Sequence, residues 1–171
     1  MKKVFLLSVF CMISLLGMHA QKFALIDMEY ILENIPAYQE ANNQLEQLSQ
    51  QYQKAVEAKA KEAESLYKAY QQTSAKLTAT QRTQKEEAIV AKEKEAAELR
   101  QRYFGPEGEM AKKQEALISP IQDKIYEIVK QISIQKNYDA VIDRASATSV
   151  IYASPRIDIS NEVLAKLGYS N

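Results

Sequence analysis

The sequence predicts an α+β protein, mostly helical, in which a long α-helical hairpin projects from a small three-stranded β body. Three observations predict it. Between Pro36 and Gly105 there is neither glycine nor proline, and Ala, Gln, Glu, Lys and Leu dominate, which is the composition of long helix. Isoleucines at 118, 121, 125, 128 and 132 keep a strict three-and-four spacing, the stripe of a helix packed on a core. Short apolar runs flank the helical stretch on both sides: KFALID (22–27), YDAVID (138–143) and SVIYA (149–153).

The first twenty residues precede that body. Lys2 and Lys3 supply a positive start, and Val4 to Gly17 is an apolar run of signal-peptide length, short of the roughly 20 residues a membrane span needs. Ala20 is a small residue suited to the position before a cut, which puts the expected cleavage between Ala20 and Gln21. Cys11 sits midway through the apolar run rather than at its end, so no lipid-attachment motif is present. Nothing after residue 20 is apolar enough to cross a bilayer, and no membrane contact is predicted for the processed chain.

The chain's one cysteine and one histidine, Cys11 and His19, both lie inside that segment. Their loss excludes a disulfide, a thiolate nucleophile, a zinc–thiolate centre and an imidazole base from the processed protein. The 22 basic and 22 acidic residues balance, and removal of Lys2 and Lys3 tips the product slightly acidic, unlike a nucleic-acid binder. No phosphate-binding glycine loop occurs, and no cofactor is expected. Acidic neighbours such as Glu86 and Glu87 sit on an exposed helical run without a pocket to tune them as acid and base.

Taken in order, Lys22 to Asp27 reads as a strand. Met28 to Asn34 reads as a brief helix capped by Asp27 and stopped by Pro36. Residues 21–36 form the first part of the body. The arm spans 37–117. Its first helix runs from about Ala37 to Lys76, with a candidate coiled-coil seam at Leu45, Leu48, Tyr52, Ala55, Lys59, Glu62, Leu66, Ala69 and Thr73. The seam is poor, because Lys59, Glu62 and Thr73 occupy it. Val56, Ala63, Tyr70 and Leu77 make a rival stripe one step over. Thr78 with Gln81 fits a capping box, so the tip is expected near 77–80 and a second long helix after it. The arm would be about 60 Å long. Phe104-Gly105-Pro106-Glu107-Gly108 must break or bulge the return helix, as hinge, bulge or recognition loop.

Residues 118–171 return to the body. Two strands follow the isoleucine stripe. Ser160 is placed to cap a last helix, with Ile159 and Leu164 as a hydrophobic staple and Gly168 as its stop. A three-stranded body leaves sheet edges unpaired, which self-association would close. Phe23, Leu25, Ile118, Ile121, Ile125, Ile128, Ile132, Val141 and Ile151 are the expected core or interface residues.

This order of elements resembles the OmpH/Skp family of periplasmic chaperones. The likeness is sharpest in FALIDMEYILENIP (23–36), in Ser119-Pro120-Ile121-Gln122-Asp123-Lys124-Ile125, and in NYDAVID, VIYA and DISNEVLAKL near the C-terminus. It implies a homotrimer whose strands join in a central barrel while three hairpins surround a cavity for unfolded outer-membrane β-barrel proteins. It also implies a periplasmic holdase that works without ATP. Members of that family are often strongly basic, and this chain is not. Capture would therefore rest on apolar and aromatic contacts.

Within the arm, Tyr52, Tyr67, Tyr70 and Tyr103 are the candidate client-contacting residues; their other role is packing across the hairpin. Charge clusters such as Lys92-Glu93-Lys94-Glu95 read as solvated helix face. An envelope coiled-coil adaptor binding one folded partner along its arms is the alternative function. A hydrolase lacks any recognisable nucleophile setting.

Overall fold

The structure is a computed structural model that describes residues 21–147 and 149–169; the expected signal segment and Ala20 lie outside the described residues. Its elements are β1 (Phe23–Ile26), α1 (Met28–Glu33), α2 (Pro36–Thr73), a 3-10 turn (Ser74–Lys76), α3 (Ala79–Phe104), α4 (Glu109–Lys136), β2 (Ala140–Asp143), a second 3-10 turn (Pro155–Ile157) and α5 (Ser160–Leu167). The chain divides into two compact units. One runs up to Asn34 and resumes at Ile125; the other is Ile35–Lys124.

In the first unit, β1 and β2 pair in parallel, Phe23 opposite Ala140 through Ile26 opposite Asp143. A parallel pair needs a long crossover, and here every residue between the two strands serves as one. Ala24, Leu25 and Ile26 are all buried, as expected of a strand covered on both faces. Ile31 and Leu32 of α1, Ile125 and Ile132 of α4, and Ile159, Val163 and Leu164 at the start of α5 complete the core. Asp27 caps α1 by accepting the Tyr30 N–H at 2.9 Å. Two helices end on left-handed residues. Asn137 has φ 54° after α4, where the Tyr138 N–H returns to the Ser133 carbonyl at 2.9 Å. Gly168 has φ 90° after α5, where the Tyr169 N–H returns to the Leu164 carbonyl at 2.9 Å.

Two expectations need correction here. The body holds two strands among the described residues, not three. Residues 149–153 are not assigned as strand, and Ile151 and Tyr152 are 99 % and 84 % exposed. A strand exists only where its backbone meets an edge. The second side of β1 is already occupied by the Asp158 bridge to Leu25, with the Ile159 N–H donating to the Leu25 carbonyl at 2.9 Å, and residues 149–153 do not pair with the free side of β2. Nor does Ser160 cap α5. It is the first helical residue, and its hydroxyl accepts the Asp27 N–H at 2.8 Å while donating to the Asp158 carboxylate at 2.6 Å. The staple fails with the cap, but Ile159 and Leu164 are buried all the same.

In the second unit, α2 turns back at Leu77 and packs against α3 as an antiparallel hairpin. Pro36 starts α2 as its first residue, where a missing N–H costs nothing. The capping box is present in both halves: the Gln81 N–H donates to Thr78 Oγ1, and the Thr78 N–H donates to Gln81 Oε1 at 3.0 Å. The return path breaks between Phe104 and Glu109. α4 then runs through Pro120, with Glu109–Lys124 belonging to the hairpin unit and Ile125–Lys136 to the sheet unit.

Candidate functional site

Neither register expected for the arm holds along its whole length. The predicted seam is half-buried from Leu45 through Lys59, after which Glu62, Leu66, Ala69 and Thr73 are exposed. The rival stripe takes over at Ala63, Tyr70 and Leu77. A straight helix advances about 3.6 residues per turn, so a strict 3.5-residue seam drifts off the interface within a few turns. Only Ala41 and Ala63 of α2 and Ile89 of α3 are buried in the hairpin.

The polar residues between the helices are put to use. Lys59 and Glu62 of α2 meet Lys92 and Glu95 of α3 in a closed ring, with Lys59–Glu62 at 3.2 Å, Glu62–Lys92 at 3.5 Å, Lys92–Glu95 at 2.7 Å and Glu95–Lys59 at 3.8 Å. The hydrogen bond donated by Lys59 holds the Glu62 carboxyl below its ordinary range, and the bond Lys92 donates to Glu95 holds the Lys92 ammonium above its own. Lys92 and Glu95 are therefore not simply solvated face, as expected from the cluster; Lys94 pairs along its own helix with Glu98. Polar residues at seam spacing on both helices were the signal for this ring, but sequence alone left the facing partner unknown.

Three of the four candidate tyrosines are also engaged within the hairpin. The Tyr52 ring stacks on Tyr103 with centroids 3.9 Å apart and planes 3° from parallel, and meets Phe104 edge-on at 6.3 Å. Its hydroxyl donates to Glu109 Oε2 at 2.6 Å, and that bond raises its pKa. Tyr70 donates to the Glu86 carboxylate across the tip-proximal half, again with a raised pKa. Tyr67 stands apart and is 48 % exposed.

The apolar surface left open is elsewhere. Leu66 and Val90 are 40 % and 61 % exposed. A groove of about 270 Å³ near the tip is lined by Leu66, Ala69, Leu77 and Ala88 among polar neighbours; a second, about 440 Å³, lies beside Val56 and Phe104. Sequence reasoning missed these residues as surface because it assigned Leu66 and Ala69 to the seam.

The expected core or interface residues of the sheet unit separate in the same way. Leu25, Ile125 and Ile132 are buried, Ile128 and Val141 are half-buried, and Phe23 and Ile151 are exposed. Ile118 and Ile121, in the hairpin unit, are half-buried. Around the strand ends, the acids are matched. Arg144 pairs with Asp27 at 3.0 Å and Asp158 at 3.5 Å. Burial pushes the Asp143 carboxyl up, but hydrogen bonds from Met28, Ser146 and Ala145 outweigh it and hold the group below its ordinary value. Among the described residues no group of three or more His, Cys, Asp or Glu is placed to hold a metal, and no helix is long and apolar enough to cross a membrane.

A family model described as "Outer membrane protein (OmpH-like)" matches residues 22–167. Over 152 residues the chain is 28 % identical to an uncharacterized protein of Aquifex aeolicus (strain VF5), covering 85 % of each. Its fold matches the crystal structure of a candidate outer membrane chaperone (OmpH-like) from Caulobacter crescentus CB15 with a TM-score of 0.65, over 88 % of this chain and 86 % of that one, at 14 % identity. With the family model spanning both units, the chain belongs to the OmpH-like outer membrane protein family.

Proposed function

We propose that this protein is an ATP-independent holdase of the periplasm, delivered there by its N-terminal signal segment, that binds unfolded outer-membrane β-barrel proteins and prevents their aggregation. The observation that carries the reading is the hairpin's construction. Between its two helices a thin, half-buried seam is supplemented by charge pairs and tyrosine hydroxyls, while Leu66, Tyr67, Val90 and the tip groove remain available. Unfolded barrel proteins expose alternating apolar strands that pair with one another; many weak apolar contacts along a wet helix pair would keep those strands apart without trapping them. Family membership supports the same reading.

The working form is a homotrimer in this proposal. Ile151, Tyr152, Ile142 and Phe23 are exposed around a sheet whose β2 has no second neighbour among the described residues, an arrangement suited to pairing between copies. Residues 149–153 would take up strand structure there. The test is light scattering as a urea-unfolded outer-membrane barrel protein is diluted into buffer. Suppression that saturates near one trimer per client without nucleotide supports the holdase. A monomeric chain that leaves aggregation unchanged at large excess overturns it, and a single stoichiometric folded partner in a pulldown would favour an envelope adaptor instead.

A further inference from the structure

The interruption at residues 104–108 is closely packed. Gly108 is buried, and a Cβ there would come within 2.8 Å of the Arg102 and Tyr103 carbonyl oxygens; one on Gly105 would run into the Gln101 carbonyl. Neither glycine adopts positive φ, so close approach rather than backbone freedom is what demands them. The backbone also stays satisfied through the break. The Gly105 N–H donates to the Gln101 carbonyl at 2.8 Å, the Gly108 N–H to the Gly105 carbonyl at 2.9 Å, and the Lys112 N–H to the Gly108 carbonyl at 3.1 Å.

One side chain from the opposite helix grips both sides of this break. Tyr52 lies flat on Tyr103 and against the edge of Phe104, the last residues of α3, while its hydroxyl donates to Glu109, the first residue of α4. Offset or stacked ring pairs contribute beyond the area they bury, and a phenol-to-carboxylate bond is charge-assisted. Glu109 is further favoured at the positive start of α4.

We infer that residues 104–109 form a latched elbow, in which Tyr52 fixes the bend between α3 and α4 and its withdrawal frees the start of α4 to move. The elbow is thus neither a slack hinge nor a recognition loop. Its two contacts are separable by mutation: Tyr52→Phe keeps the stack and removes the hydroxyl, and Tyr52→Leu removes both.

Hydrogen exchange of the purified full chain, read on peptides covering 101–112, tests it. Tyr52→Phe should accelerate exchange there about fivefold and Tyr52→Leu about thirtyfold, while peptides from 59–96 stay within about twofold. Glu109→Ala, which also loses the charge at the start of α4, should accelerate exchange at least as much as Tyr52→Phe. The double variant Tyr52→Phe/Glu109→Ala should be no faster than Glu109→Ala alone, and Glu109→Gln, which keeps an acceptor, should lie nearer the parent. The inference is overturned if Tyr52→Leu leaves 101–112 within about twofold of the parent, or if exchange rises equally along the whole hairpin.

Discussion

In the sheet unit Ile31, Ile125, Ile132 and Val163 are fully buried, whereas between the hairpin helices Ala41, Ala63 and Ile89 are buried, most of the other facing residues stay half exposed and four carry charge. The same chain thus uses two means of holding helices together. The sheet unit relies chiefly on burial of branched side chains from several elements, which is cooperative and is not screened by salt. The hairpin buries little between its helices and adds paired charges and hydroxyls at a wet interface, which are screened by salt and tied to protonation. A hairpin stabilised in that way does not have to bury its own leucines and tyrosines, and those left over are what a holdase needs.

The contrast breaks most visibly in the core of the sheet unit. Ile132→Ala removes a fully buried side chain and should cost about 2–5 kcal/mol, read as a lowered denaturant midpoint. A loss within the noise would mean that the unit is loosely packed after all. Ser160→Ala comes next. It leaves the N–H of the half-buried N-cap of α1, Asp27, without its acceptor, which should cost about 1 kcal/mol. If Ser160 were merely a cap on α5, Thr would restore stability and Ala would cost less.

Salt should separate the two units. Raising ionic strength toward 1 M should speed amide exchange in 59–96 a few-fold and leave β1 and β2 unmoved, because exposed charges are screened and buried carbon is not. Lys92→Met should reduce that response without abolishing it, because Lys59 still pairs with Glu62 and Glu95. The smallest effect is the acid limb. Asp143 and Glu62 have folded pKa values below their ordinary ones, so their stabilisation is complete above about pH 4.5 and is lost as pH falls through the folded values. Asp143→Asn keeps the acceptor oxygen and should flatten the fall in melting temperature below about pH 4. Lys92 has the opposite sign: its raised pKa gives stability that is full below about pH 10 and lost above its folded value.

The fold was legible wherever a local signal decides the outcome. Asp27 before α1, the Thr78–Gln81 box, the paired glycines of the break and Gly168 after α5 each act within a few residues of chain, and each is found in its role. Legibility ended where the partner is distant in sequence. Lys59 and Glu62 looked like defects in a seam until Lys92 and Glu95 faced them across the hairpin. Ser160 had the composition of a cap, but an N–H far away in the chain, on Asp27, claimed its hydroxyl. SVIYA has the composition of a strand, but composition does not decide whether a segment meets an edge, and this one pairs with neither β1 nor β2. The tyrosines divide in the same way: Tyr52, Tyr70 and Tyr103 are engaged by the facing helix, and only Tyr67 stands free to act as first expected.

The proposed holding of clients rests on the hairpin's unburied apolar residues. It is tested most directly by repeating the dilution of an unfolded outer-membrane barrel protein with the triple variant Leu66→Ser/Tyr67→Ser/Val90→Ser, whose positions are all exposed. The variant should keep the parent's helical circular dichroism and melting temperature, since surface changes of this kind move stability by only about 0.5 kcal/mol each, yet lose most of the suppression of light scattering. Suppression equal to the parent's from a folded variant would contradict the claim and move the client-holding surface off the hairpin.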